Sequence, residues 1–195
     1  MQNIDCYKIQ QKNIDSIRRV NFINDANVNI RLQLLCKDVL TMSMNRADGF
    51  KYDEVGILVS ILGKYKSNPM WGYNGIIDIS NPEYQEAIIT NEKNSLAFIH
   101  NHPDNSIISY GDLINLITTD SIKIVIAVAN NGNISYAHRM YADDGFYIKL
   151  YRNIQNKIHS KAKSEVARCR NEIYKKILNN PEKYGLSIKQ SRRKK

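Results

Sequence analysis

Three short apolar runs constrain this chain most: EVGILVSIL at residues 54–62, SLAFI at 95–99 and IKIVIAVA at 122–129. All are apolar and too short for a buried helix. The first ends at Gly63, so they read as strands, the first and third buried on both faces. Helical spacing elsewhere supplies the cover. Val28, Ile30, Leu32, Leu35, Val39 and Met42 recur at helical intervals, with Asn27 as cap and Gly49 as stop. Asn81-Pro82 opens a short helix through Ile89, because Pro fits a first turn and Glu83 and Glu86 suit its positive end. A further extended stretch is expected at 70–79, and Leu113, Ile114, Leu116 and Ile117 form a helix face. Asn130-Asn131-Gly132-Asn133 then turns the chain back through a strand from Ile134 to His138. This order predicts an α/β or α+β domain, a mixed β-sheet flanked by helices.

The two ends read differently. Residues 1–26 are polar without a convincing period, a weakly structured lead-in. From Tyr147 through Tyr151, Ile154, Ile158, Ala162, Val166, Cys169, Ile173 and Ile177 the apolar residues step by threes and fours, which predicts one long basic helix to about Asn179, stopped by Asn180-Pro181. At the standard rise it would be ~50 Å long, more than a small domain covers, so part of it projects or bends back. Ser191 opens a short basic end. The expected division is a lead-in at 1–26, a globular domain at 27–144 and a basic amphipathic helix and tail at 145–195.

With 195 residues and 43% hydrophobic content, the chain buries enough surface to fold without disulfides or a structural metal, so any metal is functional. Cys6, Cys36 and Cys169, odd in number and far apart, suit free thiols in a reducing compartment. The N-terminal residues lack the pattern of a signal peptide, and no apolar run approaches the ~18 residues of a membrane span, so a cytoplasmic protein without membrane contact is expected. The net charge of +9 is uneven: residues 149–195 hold 15 of the 28 basic and 3 of the 19 acidic residues.

Chemistry concentrates in His100-Asn101-His102-Pro103 and Ser109-Tyr110-Gly111-Asp112. His100 and His102, two apart at a strand end, leave the same face, and two neutral imidazoles there can hold a borderline-soft cation such as Zn2+. Asp112 can add a carboxylate oxygen from the next helix start, leaving one position for water. Ser109, three residues before Asp112, also fits a capping arrangement, and capping and ligation can coexist. Alone, Glu54 reads as a solvated charge beside Asp53.

These residues resemble the signature of the JAMM (JAB/MPN) metalloproteases: an upstream glutamate, His-x-His-Pro and Ser-x-x-Asp, here Glu54, His100 to Pro103 and Ser109 to Asp112. The spelling HNHP is most similar to the bacterial RadC-like branch and to phage- and toxin-associated JAB domains. The likeness covers about residues 52–138. The loop from His102 to Asp112 is one residue shorter than in the eukaryotic isopeptidases, which bears on substrate class more than on metal binding. The resemblance implies a JAB/MPN-like metallohydrolase domain at 27–144, with Zn2+ on His100, His102 and Asp112 lowering the pKa of bound water. It further implies Glu54 as general base and Ser109 as oxyanion donor. The expected activity is hydrolysis of a peptide or isopeptide bond in a polypeptide or ubiquitin-like substrate. His138 ends a strand and reads as a core or surface histidine, as His159 reads as exposed; Trp71, Tyr73 and Asn74 line a substrate groove or belong to the core.

Two rivals come from other classes. The basic C-terminal helix suits nucleic acid or another polyanion, with the JAB-like domain incidental. A non-catalytic interaction module is the other, against which the intact set of five groups argues. A nuclease using the same metal is a further alternative, although the sequence supplies no acidic cluster of the kind that two-metal phosphodiester cleavage prefers.

Overall fold

One mixed sheet of six strands organises the residues that the computed structural model describes, 7–47, 49–63 and 65–191. Helices α1 (Gln11–Asp15) and α2 (Ala26–Met44) precede strands β1 (Val55–Ser60) and β2 (Met70–Trp71). Then come α3 (Pro82–Thr90), β3 (Leu96–His102), α4 (Tyr110–Thr118), β4 (Ile122–Ala129) and β5 (Ile134–Arg139). Helices α5 (Asp144–His159) and α6 (Val166–Asn179) and strand β6 (Leu186–Ser191) complete the chain. The strand order is β2-β1-β3-β4-β5-β6; β3 and β4 run parallel and every other pair is antiparallel. The fold is α+β, as the sequence leads one to expect.

Strand alternation divides the core in two. Ile57, Val59, Ala97, Ile99, Ile124, Ile126 and Val128 point to the face covered by α1 and α2. Leu58, Leu96, Phe98, Ile122 and Val125 point to the other, against α3, α4, α5 and α6. The same alternation places His100 and His102 on the α4 face and Asn101 on the α2 face. Because β1 is antiparallel to β3, with Gly56 opposite His100, the head of β1 lies beside the histidine end of β3. The site therefore sits at the carboxyl ends of the parallel pair, where the β3-α4-β4 crossover leaves a crevice.

Several local expectations are corrected. Residues 7–25 are not loosely held: Ile9, Ile14, Ile17, Val20 and Phe22 are buried beneath the sheet, anchored by α1 and by Tyr7 N–H donating to the Pro103 carbonyl at 2.9 Å. Their burial follows no helical or strand period because most of the segment is irregular. The cap of α2 is Asp25, whose carboxylate accepts from Asn27 and Val28 N–H, and the helix ends at Met44, before Gly49. The extended stretch at 70–79 shrinks to Met70–Trp71, followed by a loop.

The single long C-terminal helix is two helices. Ala162 adopts extended backbone (φ −59°, ψ 148°) and the chain folds back through a short 3-10 turn, Lys163–Glu165, into α6. The apolar spacing continues across the break because both helices bury their stripes on the same core: Tyr147, Ile154 and Ile158 from α5, Cys169, Ile173 and Ile177 from α6. Residues 186–191, where no strand is expected from the sequence, form β6 on β5, with Leu186 fully buried. The basic end at 192–195 and Cys6 lie outside the described residues, and Cys36 and Cys169 are free thiols. No helix among the described residues is long and apolar enough to cross a membrane.

Candidate metal centre

His100 and His102 are the fifth and seventh residues of β3, and both are buried. Their Nε2 atoms approach to 2.9 Å. The Asp112 carboxylate spans them, Oδ1 at 3.0 Å from His100 Nε2 and Oδ2 at 3.3 Å from His102 Nε2. Glu54 Oε1 lies 3.6 Å from His100 Nε2. Two imidazole nitrogens and two carboxylates, all acceptors when deprotonated, face one another away from water, an arrangement that needs a cation or shared protons at its centre. Zinc bonds of ~2.0–2.1 Å at tetrahedral angles place ligand atoms about 3.3 Å apart, close to these separations, and a set of two imidazoles and one carboxylate suits a catalytic zinc with one water position. Either carboxylate completes three donors with the histidines; the candidate ligand atoms of Glu54, His100 and His102 all lie within 4.8 Å of one another.

Local structure explains the placement. Ser109 caps α4: its Oγ accepts from Asp112 N–H at 3.1 Å, while Asp112 Oδ2 accepts from Ser109 N–H at 2.6 Å. This capping box holds the Asp112 side chain against the helix start, so one carboxylate both caps and faces the imidazoles. His102 Nδ1 lies 3.2 Å from the Ser106 carbonyl and 3.0 Å from Ser106 Oγ. A proton on Nδ1 shared with that carbonyl leaves the Nε2 lone pair for a metal. His100 Nδ1 is buried and has no hydrogen-bond partner among the described residues; its ring is held by stacking on Phe98, with centroids 4.8 Å apart.

The charges are tightly coupled. Burial pushes the Glu54 carboxyl up to about 8, with His102 opposing and Asp112 and Asp53 adding to the rise. Burial pulls His102 down, but the hydrogen bond and charge of Asp112, together with Glu54, outweigh it and raise it to about 9. Burial opposes ionisation of Asp112, yet His100 and His102 hold it well below the usual carboxylate range.

A cleft of about 260 Å3 opens from Glu54, Ser109 and Asp112 along Ile76, Ile77, Ile79 and Phe98. Its far wall depends on two residues that the motif omits. Asp53 accepts from Asn74 N–H at 2.6 Å and Gly75 N–H at 2.8 Å, which ties the 73–77 loop beside Glu54. Gly72 allows that loop to close, since a Cβ there would lie 2.8 Å from the Ile76 carbonyl and 2.9 Å from Glu54 Cβ.

Asn101, between the histidines, is a third residue that sequence reasoning misses. Fully buried on the opposite face, it accepts from Val55 N–H at 2.7 Å and donates to Asn130 Oδ1 at 2.8 Å, fixing β1 to β3 behind the site. Asn130 in turn donates to the carbonyls of Tyr7 and Tyr52. A buried Asn within an apolar strand was the available signal.

Trp71 and Tyr73 belong neither to the core nor to the cleft lining; with Phe50 they surround the Arg46 guanidinium, which donates to the Gly72 carbonyl at 2.6 Å. Asn74 holds a left-handed turn (φ 55°). His138, opposite Ile124, sits three residues along β5 from Ser135, which lies level with His100, and so stands away from the centre. His159 is exposed. Comparison with models of known families, with curated proteins and with solved structures returns no match.

Proposed function

We propose that the chain is a zinc-dependent hydrolase of an amide bond, peptide or isopeptide, of the JAMM type. The observation that carries this reading is the convergence of His100 Nε2, His102 Nε2 and both Asp112 oxygens at 2.9, 3.0 and 3.3 Å, with a second carboxylate and a substrate-sized cleft beside them. Bound zinc supplies a water activated for attack on a carbonyl at neutral pH. Asp112 is assigned as ligand and Glu54 as proton carrier because the Asp112 oxygens lie nearer the imidazoles than Glu54 Oε1, at 3.6 Å. Glu54 takes the proton of the attacking water and passes it to the leaving nitrogen; burial raises its carboxyl in the metal-free chain, and the charge of a bound cation would favour the ionised form that a base needs. Ser109 Oγ accepts from Asp112 N–H, which leaves its own O–H proton to donate to the carbonyl oxygen as charge develops.

Metal analysis tests this reading. Protein purified without chelator or nickel resin is expected to carry about one zinc per chain, as a site of three protein donors and one water requires. The double variant His100→Ala, His102→Ala should lose it. Full zinc content in that variant overturns the site.

A second reading, polyanion binding by the C-terminal region, is favoured by one observation: Arg152, Lys161, Lys163, Arg168, Arg170, Lys175 and Lys176 are all exposed on α5, α6 and their connection. It is compatible with hydrolysis, the basic helices acting as an accessory contact.

A further inference from the structure

Ser109 borders two clefts. One is the apolar cleft that reaches Glu54 and Asp112. The other, of about 350 Å3, lies between the start of α4 and helix α6, lined by Ser109, Tyr110, Arg170, Asn171 and Tyr174 among others. Tyr174 OH donates to the Ile108 carbonyl at 2.6 Å, so α6 is pinned to the residue just before the capping serine. The two clefts differ in charge. The first holds the carboxylates of Glu54 and Asp112 amid isoleucines, whereas the charged residue lining the second is Arg170, which is exposed and has no carboxylate partner among the described residues.

Resting on the hydrolase reading, we infer that a substrate polypeptide crosses Ser109 from one cleft to the other, an apolar side chain on the Ile76, Ile77 and Ile79 side and a carboxylate against Arg170 on the α6 side. An acidic residue is repelled by Glu54 and Asp112 and attracted by Arg170, so charge sets the direction of the chain as well as its sequence preference. Tyr110 and Tyr174 flank the arginine and offer apolar contact with a polar edge. The carboxylate comes either from an Asp or Glu side chain or from a chain terminus, and both present the same oxygen pair to a guanidinium.

Peptide arrays separate these sources and separate this inference from the reading beneath it. Binding is measured with zinc-loaded Glu54→Gln protein, and cleavage with the unaltered chain. The probes are an apolar-acidic peptide with an amidated end, an apolar-neutral peptide with a free carboxyl end, and an apolar-neutral amidated control. We expect one of the first two to bind roughly three- to ten-fold more tightly than the control, to lose that margin when Arg170→Ala is added, and to fall below the control when Arg170→Glu is added. Cleavage should follow the same order through KM. Equal binding of all three probes, or a carboxylate preference that survives Arg170→Glu, overturns the subsite while cleavage leaves the hydrolase reading standing. Charge-dependent binding without cleavage by the unaltered protein does the reverse.

Discussion

At the scale of the residue, Ser109 and Glu54 hold positions where structure and chemistry must be separated experimentally. Glu54→Gln preserves shape but cannot take a proton at neutral pH, so hydrolysis should fall to background in protein that still holds zinc. Ser109 carries both a helix cap and the proposed oxyanion donor. Ser109→Ala should cost about 1 kcal/mol of stability together with roughly 10²–10³ in rate, whereas Ser109→Gly, costing only a few tenths in stability, should lose the same rate. Melting temperature and turnover measured side by side check both, and a Ser109→Gly enzyme with full activity rejects the donor role.

Glu54 and the residues facing it give metal-free protein a distinctive pH dependence. Glu54 and His102 are both raised in the folded state, to about 8 and about 9, so between the unfolded values near 4.5 and 6.5 and these folded values the native chain binds more protons than the unfolded one. Stability should therefore fall as pH rises across that window. Asp112, depressed, opposes this trend only in acid, where its contribution is lost as pH falls. Thermal melts of chelated protein from pH 6 to 9 check the sign; a rising melting temperature contradicts it. The histidines and Asp112 were legible because an i, i+2 pair on a strand and a cap three residues long are local patterns. Asn101 was not, because its task depends on Asn130, 29 positions away, and on the head of β1, 46 positions away.

At the scale of the element, legibility follows the range of the interaction. β1, β3 and β4 lie where apolar runs place them, β5 follows the Asn130–Asn133 turn, and Asn81 caps α3 just before Pro82, as turn chemistry requires. β6 escaped notice because LSIKQS buries mainly Leu186 and pairs with one neighbour, β5, at the sheet edge, so little hydrophobic pattern is demanded of it. The break at Ala162 escaped for the opposite reason: the apolar period is in phase on both sides, and both helices bury their stripes on the same core. The C-terminal region is thus part of the core it covers, and Leu186→Ala should destabilise the whole domain by about 2–5 kcal/mol, the cost of a buried Leu truncation. Chemical denaturation monitored on the sheet checks this. A change under about 0.5 kcal/mol, typical of surface positions, shows the strand to be dispensable.

At the scale of the whole molecule, charge is segregated from the chemistry. Residues 149–195 carry 15 basic against 3 acidic side chains, while the centre is built of carboxylates and imidazoles. A solvated helix face explains such a charge run without any partner, so the polyanion reading must be tested by its salt dependence. If the basic helices meet phosphates, binding to duplex DNA should be indifferent to sequence, with log K falling against log salt at about −0.9 per phosphate contacted. Truncating the chain before α5 is no test of this, because it removes β6 and the buried Tyr147, Ile154, Ile173 and Ile177 with the charge. Charge reversal is the sound design. Lys161→Glu, Lys163→Glu, Lys175→Glu and Lys176→Glu together alter only exposed side chains, so the fold and zinc content should persist while affinity drops and the salt slope flattens by about one unit for each phosphate no longer neutralised. Binding that ignores salt, or that this fourfold variant retains undiminished, assigns the positive helices to solubility alone.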